Sequence, residues 1–194
     1  MRMNLLIGAI MLDAGDFAGA NRYIESALQV AEKRKDVRTV AVAHVLSSAN
    51  IMDEAKSIEH LSIATNMSEK FYLYDISWRA HYEHAKKMTV QHQNDKADES
   101  FKKAIKKFDL AAPGTRWHQH KSALSVTGDE LFDAYIHFLI DREKHENALE
   151  VYELQKQNEY IQFVSDRLYK TQLYEKELIS KLDSLRSQFA IARA

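Results

Sequence analysis

Nine histidines are the side chains of this sequence best suited to chemistry, because imidazole can hold a metal or move a proton near neutral pH. His81 and His84 stand three residues apart with Glu83 between them, and "WHQH" brings His118 and His120 together. Two imidazoles at such spacings can share an ion, but a zinc site needs three or four protein donors, and no spacing here supplies the third. They read as structural or surface histidines. No glycine-rich phosphate loop, serine-nucleophile motif or metalloprotease motif is present. The chain has no cysteine, which removes thiolate nucleophiles, disulfides and cysteine-ligated zinc. The expectation is a non-catalytic protein with no metal and no cofactor.

Charged residues point the same way. Twenty-seven basic and 28 acidic residues nearly cancel, so no global field draws in nucleic acid or an anionic membrane. In "FKKAIKKFD", Lys102, Lys103, Lys106 and Lys107 form a stripe opposite Phe101, Ala104, Ile105 and Phe108, as on an amphipathic helix with a solvated face. The acidic pairs Asp53-Glu54, Asp98-Glu99 and Asp129-Glu130 fall where helices are expected to start, and there they complement the helix dipole. The apolar run in "MRMNLLIGAIMLDAGDF" is too short to span a bilayer and lacks a cleavage site. A soluble, cytoplasmic chain without nucleic-acid or membrane partners is expected.

The elements that would carry these residues are helical. One proline, five glycines and abundant Ala, Leu, Glu, Lys and Gln favour helix almost throughout. In "GAIMLDAGDFAGANRYIESAL", Leu5, Gly8, Met11 and Leu12 recur at helical spacing, and Ala20, Ile24, Ala27 and Leu28 do so again after the turn. Gly15 suits the left-handed residue that ends a helix, and Asp16 can cap the next. Small Gly8 and Ala20 let the two helices approach closely. Three weaker copies follow: one with Ala43, Asn50 and Ala55, one with Ala85, Asn94-Asp95, Ala97, Phe101 and Ala104, and one ending in Ala148 and Tyr152. Their second-helix alanines, Ala20, Ala55, Ala97 and Ala148, lie 35, 42 and 51 residues apart.

This pattern resembles the tetratricopeptide repeat (TPR), a helix–turn–helix unit of about 34 residues that buries its apolar face only by stacking on neighbours. Gly8, Ala20 and Ala27 match the family's small positions and Gly15-Asp16-Phe17 its turn. Asn4, Met11 and Glu32 depart from its usual Trp, Tyr and Pro. The resemblance implies an all-α, TPR-like right-handed superhelix of antiparallel helix pairs over residues 1–158, about four degenerate units with an insertion near 110–128. Pro113-Gly114 in that insertion should break the helix after Leu110. From Asn158 a long C-terminal helix is expected over 159–194. Its seam of Ile161, Val164, Leu168, Thr171, Glu175, Leu178, Leu182, Leu185, Phe189 and Ala192 alternates steps of three and four. That helix could cap the array, connect it to a further domain, or join two copies as a homodimer through residues 161–192.

Residues 116–190 resemble something narrower. In "LFDAYIHFLI" and the following Ala148, Leu149, Glu153, Lys156 and Ile161, they are similar to the last repeat and connector helix of proteins joining TPRs to a caspase-like CHAT protease domain. Asn158 stands where that family usually has Arg. TPR sensors of kinase or cyclase output domains end in similar helices. The TPR resemblance also implies a concave face lined by the first helix of each unit. Superposing the copies puts Leu5, Ala9 and Leu12, then His44 and Ser47, then Arg79, Tyr82 and Lys86, then Asp133 and His137 on that face. Leu5 and Ala9 disfavour the Lys/Asn clamp that binds chaperone tails. The implied function is a scaffold that binds a protein or peptide and regulates a larger signalling or protease protein. The aromatic stretch "EKFYLYDISW" reads as core packing at the start of an unusually long helix.

Overall fold

A computed structural model describes residues 2–50, 53–111 and 128–192. Among them the chain is all-α, with helices α1 (Arg2–Asp13), α2 (Phe17–Lys33), α3 (Val37–Asn50), α4 (Glu54–Lys70), α5 (Tyr74–Val90), α6 (Asn94–Ala111), α7 (Gly128–Ile140) and α8 (His145–Ala192). Residues up to Lys144 form one compact unit, and the residues from His145 form another.

Within the first unit one kind of turn recurs. Gly15, Lys35, Tyr72, His92 and Glu143 each take a positive φ, between 55° and 78°. At all five turns the next residue's N–H reaches back to a carbonyl of the last helical turn: Asp16 to Met11, Asp36 to Ala31, Leu73 to Ser68, Gln93 to Met88 and Lys144 to Leu139, all at 2.8–3.0 Å. This closure satisfies carbonyls that the helix end would orphan, and it sends the chain back along the helix it has left. Consecutive helices from α1 to α7 therefore pack on one another, while α1 touches α3 and α3 touches α5. Helices α1, α3 and α5 thus share one layer.

The helix starts set the repeat register. Asp16 caps α2 by accepting from the Gly19 N–H at 2.9 Å, and Asp53 caps α4 by accepting from the Ala55 N–H at 3.0 Å. Those caps lie 37 residues apart, as do the second residues of α3 and α5, Arg38 and Asp75, which form an ion pair. Counted from its cap, the small position of α4 is Ser57 rather than Ala55. Ser57 is fully buried and donates to the Ser48 carbonyl at 2.6 Å, whereas Ala55 is exposed. Serine serves there because a backbone acceptor satisfies its hydroxyl. In the first pair, Gly8 is required by closeness, since a Cβ there would lie 2.8 Å from Ile24 Cγ1.

Two apolar clusters stabilise the unit. Leu5, Ala9, Ala20, Ile24, Ala27, Ala41, Ala43, Val45 and Leu46 join α1, α2 and α3. Further along, Phe101 of α6 stacks on Tyr135 at 5.0 Å, Trp78 meets Phe108 edge-on at 5.4 Å, and Phe108 meets Phe132 at 5.7 Å. Such aromatic pairs add about 0.5–1.5 kcal/mol each beyond the area they bury. The stretch from Glu69 to Trp78 is divided. Ile76, Ser77 and Trp78 are core, but Phe71 and Tyr72 are exposed at the turn between α4 and α5, two helices of equal length, 17 residues each.

In the second unit, α8 is one helix of 48 residues and starts at His145, not at Asn158. No Gly or Pro interrupts it. Of its seam, Val164 is half-buried and Thr171, Glu175 and Leu178 are exposed. Ile161, Leu168, Leu182, Leu185, Phe189 and Ala192 lie outside the residues whose side chains are described. The insertion over 112–127, with Pro113-Gly114, His118 and His120, also lies outside the described residues, and α6 ends at Ala111.

Candidate functional site

Three side chains of α5, Arg79, Tyr82 and Lys86, follow one another at helical steps of three and four. Glu130, Asp133 and His137 do the same on α7. Such steps put each trio on one face of its helix. The two faces are near enough for their charges to act across the gap. Burial is the main cause that lowers the Arg79 guanidinium to about 10, with Asp75 and Glu130 opposing it and Arg38 adding to it. Arg79 thus stays protonated at neutral pH. Burial likewise pushes the Tyr82 phenol up to about 12, helped by Glu83, Glu130 and Asp133, which keeps it neutral.

Each member of the face has a distinct setting. Arg79 is 8% exposed and lies 4.8 Å over the Trp78 ring. Tyr82 is 5% exposed, and its ring leans on Phe101 at 6.4 Å. Lys86 is open to solvent; its ammonium sits 4.7 Å over the Tyr82 ring and 2.8 Å from Glu83. Asp133 and His137 are exposed. Arg79 and Tyr82 are thus packed supports as much as contact residues, and Lys86, Asp133 and His137 are the accessible rim. Behind the face, the Tyr135 hydroxyl donates to Asp98 at 2.8 Å, tying α7 to α6. Asp98 lies a full turn inside α6, so its role is this anchor and a pair with Lys102 at 2.7 Å, not a helix cap.

His44 and Ser47 do not join that face. Both are buried, and His44 Nδ1 lies 2.7 Å from Nδ1 of His60 on α4, one ring donating and the other accepting. The reason is the register above. Aligning Ala55 with Ala20 matches His44 to Ala9, whereas the 37-residue step matches it to Ile7, and its ring meets His60 of α4. Leu5 and Ala9 are likewise buried, with Leu12 partly so.

The remaining histidines are spread over different partners. His81 lies 3.3 Å from Glu69 of α4, and His84 lies 2.9 Å from the Ser100 hydroxyl of α6, so the two do not converge on a shared ion. Among the described residues, no group of three or more His, Asp or Glu side chains is gathered as a metal cage. Lys102, Lys103 and Lys107 pair with Asp98, Glu99 and Glu69 at 2.7, 2.7 and 2.9 Å, which leaves the basic stripe largely neutralised. No described helix is long and apolar enough to cross a membrane. No protein-family model, curated protein or solved structure matches the chain.

Sequence reasoning missed Arg38, Asp75 and Glu130. The ion pair of Arg38 with Asp75 joins the starts of α3 and α5, and Glu130 acts on both Arg79 and Tyr82. The available signal was the 37-residue step between Asp16 and Asp53.

Proposed function

We propose that the chain is a non-catalytic scaffold of the TPR type, in which the α5–α7 face lines the concave side of a superhelix and holds an extended peptide or a helix of a protein partner. The observation that carries this reading is the paired trios at equal steps on alternate helices, with Arg79 and Tyr82 fixed by burial and Lys86, Asp133 and His137 left accessible. A pre-set face of this kind lowers the ordering cost of binding. The resemblance over residues 116–190 supports coupling of that recognition to an output domain, a CHAT-type protease in the narrower reading. Photo-crosslinking from position 86 tests the assignment. A defined partner adduct there supports it, and its absence while other faces crosslink opposes it.

A further inference from the structure

We infer that two copies of this chain associate through the outer face of α1, the two helices running antiparallel about a two-fold axis. This surface is separate from the α5–α7 face.

The first observation is a difference between equivalent positions. The 37-residue step that relates the caps of α2 and α4 also relates Asp13 and Asn50, the last residues of α1 and α3. By that step Met3, Leu6 and Ile10 of α1 correspond to Val40, Ala43 and Ser47 of α3. The three α3 residues are buried, as are Ser77 and Ala80 one step further on, whereas Met3, Leu6 and Ile10 are 66%, 40% and 57% exposed. Each of the two helices packs on the helix that follows it and on the next odd-numbered one, and α3 has α1 and α2 before it as well. The face that α3 turns toward the preceding pair is therefore the face that α1 presents uncovered. A repeat array that met only water there would carry polar residues. This one carries large apolar side chains, at positions that a helix covers elsewhere in the chain.

The second observation is what borders the stripe. At 3.6 residues per turn Arg2, Met3, Leu6, Ile10 and Asp13 fall within an arc of about 100°, and all five are exposed. The cation stands at one end and the carboxylate at the other. Reversed, the stripe is its own complement. With Arg2 opposite Asp13 of the second copy, Leu6 meets Ile10 of that copy, and the two-fold axis repeats both contacts. Arg2 also acts on Asp36 of its own chain, but Thr39 already bonds that carboxylate. A membrane surface is a poorer occupant, since interfacial helices carry basic polar faces and here Asp13 and Asp16 border the apolar residues. One helix of 12 residues from each copy buries a small area, which sets a dissociation constant of roughly 10–100 μM.

Sedimentation equilibrium of the full chain over about 5–500 μM should show a monomer–dimer equilibrium. Leu6→Glu with Ile10→Glu should leave a monomer throughout, with circular dichroism unchanged because both positions are exposed. Arg2→Asp and Asp13→Arg should each weaken association about fivefold or more, since each sets like charges opposite one another twice. Mixing those two variants should restore association, because each supplies the charge that the other lacks. If the Leu6 and Ile10 variant loses helix signal, the mixing experiment decides alone. A wild-type monomer over the whole range would overturn the inference. So would a mixture that stays as weak as each variant by itself, or a dimer that Leu178→Glu on α8 dissolves while the α1 variants leave it intact.

Discussion

Acid should weaken the first unit well before its carboxylates protonate, and His44 is the main reason. Its ring is buried between α3 and α4 with His60 as its hydrogen-bonding partner. Burial, and then the proximity of His60, lowers its pKa from 6.5 to about 4. A histidine depressed in the folded state contributes stability that is complete above its unfolded value. That contribution is lost as pH falls through the window from 6.5 toward 4. With these two values, linkage gives about 2 kcal/mol lost at about pH 5, and contact of the ring edge with water brings this nearer 1–1.5 kcal/mol. His81 and His84 have the same sign. Burial lowers both, with Glu69 opposing at His81, and with His81, Lys103 and Lys96 adding at His84 against Glu99. The assay is urea unfolding followed by circular dichroism at about pH 7.5 and pH 5, for wild type and for His44→Gln, which keeps a similar volume without titrating. Wild type should lose about 2 kcal/mol or more, and the variant about 1 kcal/mol less than that. Equal losses in the two proteins, or a flat wild-type profile, would refute the reasoning.

Two further outcomes follow from the register and the turns. Ser57→Leu should destabilise by about 3 kcal/mol or more, because a fully buried small position cannot hold the added volume, whereas Ala55→Leu on the exposed side should stay within about 0.5 kcal/mol; thermal melts decide, and the reverse order would restore the Ala55 register. Tyr72→Gly should stabilise by about 0.5–1 kcal/mol, since Tyr72 holds φ at 56° with its side chain exposed; a lower melting temperature would contradict the turn geometry.

Parts of the fold were legible because their causes are local. Gly15 and Asp16 announce a helix end and a helix start through backbone freedom and a capping carboxylate, and both act where the sequence places them. The Arg79, Tyr82, Lys86 spacing was legible for the same reason, as helical steps need no tertiary knowledge. What stayed hidden was the identity of small residues in worn copies. Looking for alanine selected Ala55, but the packing needs low volume plus a satisfied hydroxyl, which Ser57 supplies through Ser48. That slip of two residues carried His44 onto the wrong face. The turns at Lys35, Tyr72 and His92 were equally hidden, because non-glycine residues hold the left-handed conformation there. The start of α8 at His145 was read late because its first turns still carry repeat-like residues, Ala148 and Tyr152.

The proposed use of the α5–α7 face is tested most directly by placing a photo-activatable p-benzoylphenylalanine singly at positions 86, 137 and 106, and mapping the adducts by mass spectrometry. Lys86 and His137 are accessible on the face, while Lys106 is exposed on α6 beside the neutralised basic stripe. The expected result is one common partner captured from positions 86 and 137 and not from 106. Capture from 106 alone, with positions 86 and 137 bare, would contradict it.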